Sequence, residues 1–113
     1  MSTTSIWLVV LLPEVEDWVM TLPLRDLKVV ERMVGMLSER GPKLQMPHSR
    51  HLGGGLYELR FDLQRGRVAQ RVTYFFYGDV IASTTFRKTR QVETAQIRRA
   101  RRVMKDYKRQ VAE

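Results

Sequence analysis

The amino-acid sequence predicts an α+β domain with a small antiparallel sheet of about four strands, an N-terminal helical hairpin and a C-terminal helix. Two observations predict this class. Residues 53–90 have the pattern of three short strands joined by tight turns, and helical patterns lie on both sides of that stretch. With 113 residues, the chain (1–113) has the length of a single domain with one core.

The N-terminal part is predicted to contain one strand and two helices. Residues 5–12 are an apolar run, which predicts a strand that is buried on both faces and joins the sheet. A helix is predicted to begin at Pro13 and to end at about residue 22. Trp18 of this helix is predicted to pack into the core. A second helix over 24–40 follows from apolar residues that recur every three or four positions. This apolar stripe consists of Leu24, Leu27, Val30, Val34 and Leu37. We expect the helices to pack on one side of the sheet.

Residues 43–55 are predicted to form a loop, because a proline and three consecutive glycines interrupt any periodic pattern. His48 and His51 are three positions apart, a spacing that could place both on one metal ion. No nearby carboxylate or cysteine completes a ligand set, so no metal is predicted. The glycines lack the Gly-Lys-Ser/Thr that completes a P-loop. We expect this loop to lie beside the sheet and to offer Arg50 to a phosphate-binding surface.

Alternation of side chains defines the strands of the central stretch. From 57 to 63, apolar residues alternate with charged ones. From 71 to 77 the chain is aromatic and β-branched and also alternates, and a third strand over 80–86 follows the turn dipeptide Gly78-Asp79. A long helix is then predicted over 91–111, with a sparse apolar stripe and a basic face.

The net charge of +8 lies entirely in the second half of the chain. Residues 1–56 hold six basic and six acidic residues, and residues 57–113 hold the other fourteen of the twenty basic residues with six acidic ones. This asymmetry indicates a polyanionic partner, nucleic acid first, with an acidic protein as the alternative. The chain has no cysteine, which excludes disulfides and thiolate chemistry. It shows no signal peptide and no stretch long enough to span a membrane, so we expect a cytoplasmic protein without a membrane partner.

Several motifs, in order, resemble the RelE/HigB-like toxins of type II toxin–antitoxin systems, and above all their phage-derived HigB-like branch. These are LLPEVEDW, GLYELRF, RVTYFF and FRKTRQ, followed by the basic helix. The resemblance covers about residues 7–107. It implies a RelE-like fold and a ribosome-dependent endoribonuclease that cleaves mRNA in the ribosomal A site, contacts rRNA and needs no metal or other cofactor. It also implies neutralisation by a cognate antitoxin, usually a helix-turn-helix protein in this branch.

Carried over by position, the resemblance makes Arg60, Arg71, Lys88 and Glu58 the catalytic residues. Metal-free RNA cleavage must activate the ribose 2′-OH, stabilise charge on a five-coordinate phosphate and protonate the leaving 5′-oxygen. Arg71, with Arg60 as partner, suits the second task because a guanidinium is always charged and binds two phosphate oxygens at once. Glu58 is the candidate base and Lys88 the candidate acid. A plain ion pair between Glu58 and Arg60 on one strand face is an equal alternative.

A second set of residues is predicted to bind RNA without taking part in the chemistry. It consists of Arg50, Tyr77, Arg87 and Arg90. The arginines suit mRNA or rRNA phosphates, and Tyr77 suits stacking on a base, with a packed strand aromatic as an even alternative. For Tyr74 the same two interpretations stand, with packing favoured.

The sequence departs from the family pattern at two places. Ser83-Thr84-Thr85 stands where many HigB-like members have a histidine, and Val92-Glu93 stands where a proline often precedes the last helix. The threonines cannot titrate, so a histidine acid or base is missing there. The main alternative function is therefore a catalytically weak or inactive RNA- or ribosome-binding domain of the same fold. A third hypothesis is an interaction protein whose basic helix docks on an acidic partner.

Overall fold

A computed structural model describes residues 6–91 and 93–112 of the chain, and these form an α+β fold, as predicted. In chain order the elements are β1 (Val9–Leu11), α1 (Pro13–Met20), α2 (Leu24–Arg40), a short 3-10 turn (Gly41–Lys43), β2 (Ser49–Gly53), β3 (Leu56–Leu63), β4 (Val68–Tyr77), β5 (Asp79–Arg87) and α3 (Glu93–Ala112).

The sheet has five strands in the order β1-β5-β4-β3-β2. Strands β2 to β5 form an antiparallel meander, and β1 joins β5 in parallel. The prediction of about four antiparallel strands was therefore wrong in number and in kind. The additional strand, β2, lies within the predicted loop. The residues of β2 are mostly polar, and apolar residues do not recur at every second position. The sequence pattern therefore did not indicate that β2 pairs with β3 across the glycine turn.

The N-terminal strand is shorter and less buried than predicted. Only Val9–Leu11 pair with β5, and all three residues are half-buried, because β1 is an edge strand rather than a central one. Residue Ser5, the predicted start of the strand, lies outside the described residues.

Helices cover both faces of the sheet, whereas the sequence predicted one. The larger core cluster packs α1 and α2 on one face, through residues such as Val15, Val30 and Leu37. The smaller cluster packs Ala100 and Met104 of α3 on the other face. We call these the α1–α2 face and the α3 face. α1 contacts mainly β5, and α2 contacts mainly β3 and the 3-10 turn, so a helical hairpin is not clearly shown.

The helix bounds agree with the sequence pattern to within about two residues. α1 ends at Met20 rather than near residue 22, and α2 spans Leu24–Arg40 as predicted. Leu24 was predicted to belong to the buried stripe but is 67% exposed. Met33, which was not predicted to belong to it, is buried. α3 begins at Glu93 rather than at residue 91, and Val92 lies outside the described residues.

Candidate functional site

Neighbouring strands bring four charged residues onto the α3 face of the sheet. Arg60 of β3 lies directly opposite Arg71 of β4. Glu58 lies opposite Thr73 on β4 and opposite Arg50 on β2. Residues directly opposite each other in an antiparallel pair point to the same face. Arg50, Glu58, Arg60 and Arg71 therefore form one group, the Glu58 cluster.

The carboxylate of Glu58 lies at the centre of this cluster. Its Oε1 atom is 3.8 Å from Nη1 of Arg50 and 3.9 Å from the Nε atoms of Arg60 and Arg71. The Glu58 side chain is 1% exposed, and neither of its oxygens has a hydrogen-bond partner within the described part of the chain. A buried carboxylate without hydrogen bonds is costly, so a group of this kind marks a candidate functional site.

Burial governs the protonation of the cluster. Desolvation raises the pKa of Glu58 above its ordinary value of 4.5, although Arg71, Arg50 and Arg60 pull it down. Desolvation likewise lowers the pKa of Arg71, and the like charge of Arg60 adds to this effect. A carboxyl group with a raised pKa beside guanidiniums is a candidate for proton transfer.

The arginines of the cluster differ in how far they reach solvent. The side chain of Arg50 is 49% exposed and that of Arg60 is 21% exposed, whereas that of Arg71 is 7% exposed. Arg60 donates from Nη1 to the Met46 sulfur at 3.0 Å, and Arg71 donates from Nη1 to the Gln70 carbonyl at 2.9 Å. A phosphate approaching from solvent therefore meets Arg50 and Arg60 first, with the charge of Arg71 beneath them.

The first turn of α3 contributes a second carboxylate at the edge of the cluster. Glu93 Oε1 lies 3.5 Å from Nη1 of Arg50, so Arg50 is shared between Glu93 and Glu58. Sequence reasoning did not include Glu93 or Met46 in the site. Glu93 lies 43 residues from Arg50, and only the packing of α3 on the sheet brings the two together.

A family model described as "Phage derived protein Gp49-like (DUF891)" matches residues 17–105. The chain belongs to this family. Gp49-like proteins are associated with the toxins of toxin–antitoxin systems. The matched segment includes every residue of the Glu58 cluster. No curated protein and no solved structure matches the chain.

Arg87, at the end of β5, does not join the Glu58 cluster of this Gp49-like protein. Arg87 lies opposite Gln70 on β4, and Gln70 lies opposite Phe61, so Arg87 is on the α1–α2 face. The backbone N–H of Lys88 donates to the Ala69 carbonyl at 2.8 Å, so Lys88 continues the pairing of β5 with β4 at the end of the sheet, two residues after Phe86, which lies opposite Arg71. Arg90 is exposed in the turn before α3. The predicted phosphate site is thus divided between two faces and one end of the sheet.

The two tyrosines considered for base stacking are packed to different degrees. Tyr74 is 1% exposed and its hydroxyl is hydrogen-bonded to that of Ser49, so the packed interpretation holds for it. Tyr77 is half-buried and meets Tyr107 of α3 edge-on at 6.0 Å between ring centroids. A stacked pair that the sequence analysis missed, His51 on Tyr57 at 4.6 Å, lies at the sheet edge on β2 and β3.

Thr84, which stands in the segment where the resemblance to HigB-like toxins implied a histidine, lies next to the cluster. Thr84 is opposite Thr73, which is itself opposite Glu58, so one row of the sheet connects them. Thr73 and Thr84 are both fully buried, and their hydroxyls are hydrogen-bonded to each other. A hydroxyl pair thus occupies this position of the Gp49-like protein, without a titrating group.

Metal-binding clusters and membrane-spanning helices are both missing from the described part of the chain. Among residues 6–91 and 93–112, no group of three or more His, Asp or Glu side chains is placed to hold a metal ion. None of the helices within those ranges is long and apolar enough to cross a membrane.

Proposed function

We propose that this Gp49-like protein is the toxin of a toxin–antitoxin system and acts, like RelE/HigB toxins, as a ribosome-dependent mRNA endoribonuclease. One observation carries the proposal. The buried Glu58 carboxylate lies within 4 Å of three guanidiniums and has no hydrogen-bond partner among the described residues. Such a site combines a candidate proton acceptor with a strongly positive surface, as metal-free RNA cleavage requires.

The arginines bind and stabilise the reacting phosphate in this mechanism. Arg50 and Arg60, the two exposed members of the cluster, contact the phosphodiester as it enters. Arg71 lies beneath them in a region of low solvent access, where a fixed charge stabilises the five-coordinate phosphate more strongly than in water. Arg87 points to the α1–α2 face and Arg90 is exposed in the turn before α3, and we assign both to ribosomal or messenger RNA phosphates.

Glu58 and Lys88 carry the proton transfers in the proposal. Glu58 accepts the proton of the ribose 2′-OH as that oxygen bonds to phosphorus, and Lys88 donates a proton to the 5′-oxygen as its bond to phosphorus breaks. The products are a 2′,3′-cyclic phosphate and a 5′-hydroxyl. Because Glu58 is buried, the RNA must displace Arg50, which is held by ion pairs to Glu58 and Glu93. Catalytic contacts often close only in the substrate complex.

A binding domain without catalytic activity is the second candidate. The buried hydroxyls of Thr73 and Thr84 favour it, because they occupy the row in which the resemblance expects a histidine. Such a protein would bind the ribosome through the same arginines and leave the mRNA intact.

Cleavage on purified ribosomes distinguishes the two candidates. Ribosomes that carry a short mRNA with an empty A site are mixed with the protein, and the new RNA ends are mapped. We expect cleavage by the parent chain and a loss of about 100-fold or more for Arg60→Gln and for Arg71→Gln. Arg32→Gln, an exposed charge change on α2, is the matched control and should cleave within about twofold of the parent, because it leaves the phosphate-binding charges in place.

The outcomes of this assay are separable. Equal cleavage by all three variants would contradict the site, and ribosome binding without any cleavage would favour the binding domain. Arg60→Gln is the decisive variant if Arg71→Gln does not fold, because the side chain of Arg60 is partly exposed.

The antitoxin and the cytoplasmic location belong to the same proposal. A small helix-turn-helix reading frame next to this one, whose product co-purifies with the chain and stops the cleavage, would support it. An adjacent product that neither binds the chain nor stops cleavage would contradict the helix-turn-helix partner.

A further inference from the structure

A second basic feature lies on the α1–α2 face, away from the Glu58 cluster. It is a pocket of about 540 Å³ between the junction of α1 with α2 and the turn from β3 to β4. Four arginines line it, namely Arg25, Arg65, Arg67 and Arg87. All four are exposed, and none forms an ion pair within residues 6–91 and 93–112.

The turn that carries two of these arginines is held in place by a buried carboxylate. Gln64 and Arg65 both have positive φ angles, 53° and 56°, which residues other than glycine adopt only when other contacts compensate. Asp26 of α2 is 3% exposed and accepts a hydrogen bond from the backbone N–H of Gln64 at 3.1 Å. Arg65 and Arg67 are therefore positioned in advance, beside the first turn of α2.

The chemistry of the pocket fits a nucleic-acid backbone with a base. Four guanidiniums face one buried carboxylate, so the pocket has a large excess of positive charge. The half-buried indole of Trp18 and the ring of Pro23 also line it and offer apolar surface. Arginines with an aromatic platform are the combination that binds single-stranded RNA.

We infer that this pocket is a second RNA-binding site, which holds phosphodiesters of single-stranded RNA on the face of the sheet opposite to the Glu58 cluster. The choice of RNA as the polyanion rests on the proposed function. Two sites on opposite faces allow the domain to contact two separate RNA segments at once.

The test measures binding with an RNA that cannot be cleaved. The probe is a fluorescein-labelled 2′-O-methyl uridine 12-mer, which lacks the 2′-OH nucleophile. The pocket variant is Arg65→Gln/Arg67→Gln/Arg87→Gln, and the control is Lys28→Gln/Arg32→Gln/Arg40→Gln, which removes the same charge from exposed positions of α2 outside the pocket.

The two triple variants should differ clearly in affinity. We expect the pocket variant to raise Kd about tenfold or more and to reduce the steepness of log K against log salt by about 0.7 for each phosphate that is no longer neutralised. The control should change Kd by less than about threefold, because its charges lie outside the pocket and act on the RNA only at long range.

The same two triple variants also test whether the pocket binds a ligand other than RNA. Equal reductions in affinity for the two triple variants would show an effect of net charge and overturn the site. Pocket-dependent binding of polyglutamate or of vesicles with anionic lipid, without binding of the RNA, would also overturn it. If millimolar inorganic phosphate displaces the RNA completely from the pocket, the pocket takes the free anion rather than RNA.

The inference and the proposed function can fail separately. Pocket-dependent RNA binding by a chain that cleaves nothing on ribosomes would support the pocket and contradict the nuclease. Ribosomal cleavage with equal RNA binding by parent and pocket variant would contradict the pocket alone.

Discussion

The carboxylate of Glu58 and the guanidinium of Arg71 lie side by side on the α3 face without a hydrogen bond between them. Oε1 and Nε are 3.9 Å apart, and neither has a hydrogen-bond partner in the described part of the chain. Burial raises the pKa of Glu58 and lowers the pKa of Arg71. A structural ion pair would close this gap, because buried charges are stable only when hydrogen bonds satisfy them. The open geometry supports the phosphate-binding role that we propose for Arg71.

Glu58→Gln should change how stability depends on pH. The pKa of Glu58 is raised in the folded chain, so its contribution to stability is fully present below about 4.5 and is lost as the pH rises through the folded pKa. We expect the variant and the parent to be equally stable near pH 4 and the variant to be the more stable of the two at pH 7. Urea unfolding at several pH values between 4 and 8 measures this difference.

The control is Glu39→Gln, an exposed carboxylate at the end of α2 that forms no ion pair among the described residues. This variant also removes one carboxylate from the chain but leaves the Glu58 cluster intact, so the pH dependence of Glu58→Gln is compared with it. If the Glu58→Gln difference is constant from pH 4 to 8, the pKa of Glu58 is not raised on folding.

Glu58→Gln should also remove RNA cleavage while ribosome binding is retained. A positioned general base contributes about 100-fold or more, so we expect a decrease of at least that size in single-turnover cleavage. For the parent, the rate should rise with pH through the raised pKa of Glu58 and then level off. Glu58→Asp keeps a carboxylate and should retain this pH profile at a lower rate. A Gln variant with more than a tenth of the parent rate would limit Glu58 to positioning the arginines.

The parts of the fold that depend on local periodicity could be predicted, and those that depend on pairing could not. α2 was predicted over residues 24–40 because its apolar stripe is strong, and Val72 and Phe75 do point to opposite faces. β2 was missed because its residues are polar and its partner lies across a glycine turn. The side on which α3 packs depends on contacts between distant residues, which no single-chain pattern records.

The candidate site was predictable along a strand but not across the sheet. Glu58 and Arg60 share a face because alternation requires it, and the register then adds Arg71 and Arg50. Arg87 was predicted to bind RNA from the family resemblance, which did not say on which face of the sheet it lies. Strand alternation separates it, since the neighbouring Phe86 lies opposite Arg71 and Arg87 must therefore point the other way.

Glu14→Gln should weaken a contact that closes the exposed edge of β5. β1 pairs only with Val80 to Ala82, and beyond that point Glu14 Oε2 accepts the backbone N–H of Thr85 at 2.9 Å. Arg99 of α3 donates to the same carboxylate, also at 2.9 Å. Burial raises the pKa of Glu14, but the hydrogen bonds from Arg99 and Thr85 outweigh it, so the net pKa is lowered. The contribution of the Glu14 carboxylate to stability is therefore present above pH 4.5, and it is lost as the pH falls through the pKa of Glu14 in the folded chain.

Because Glu14 is more than a third exposed, we expect a destabilisation of only about 0.5 kcal/mol at pH 7 for Glu14→Gln and a smaller destabilisation at about pH 3. Urea unfolding at both pH values measures it. Glu16→Gln on the same helix is exposed and makes no ion pair in the described residues, so it should have no comparable effect. Equal destabilisation by both variants would exclude a specific contact at the β5 edge.

Substitutions of two glycines by alanine should have opposite effects on stability. Gly41 ends α2 with a φ of 53°, and a Cβ there would overlap the indole ring of Trp7, so Gly41→Ala should cost about 2 kcal/mol or more. Gly35 lies within α2, where an added Cβ would meet no atom within 4 Å, and Gly35→Ala should add about 0.5–1 kcal/mol through helix propensity. A double-mutant cycle with Trp7→Ala separates the clash from the backbone strain, because only the clash disappears on that background. Gly41→Ala with no cost in urea unfolding, or with the same cost on both backgrounds, would show that the Trp7 ring does not restrict this position.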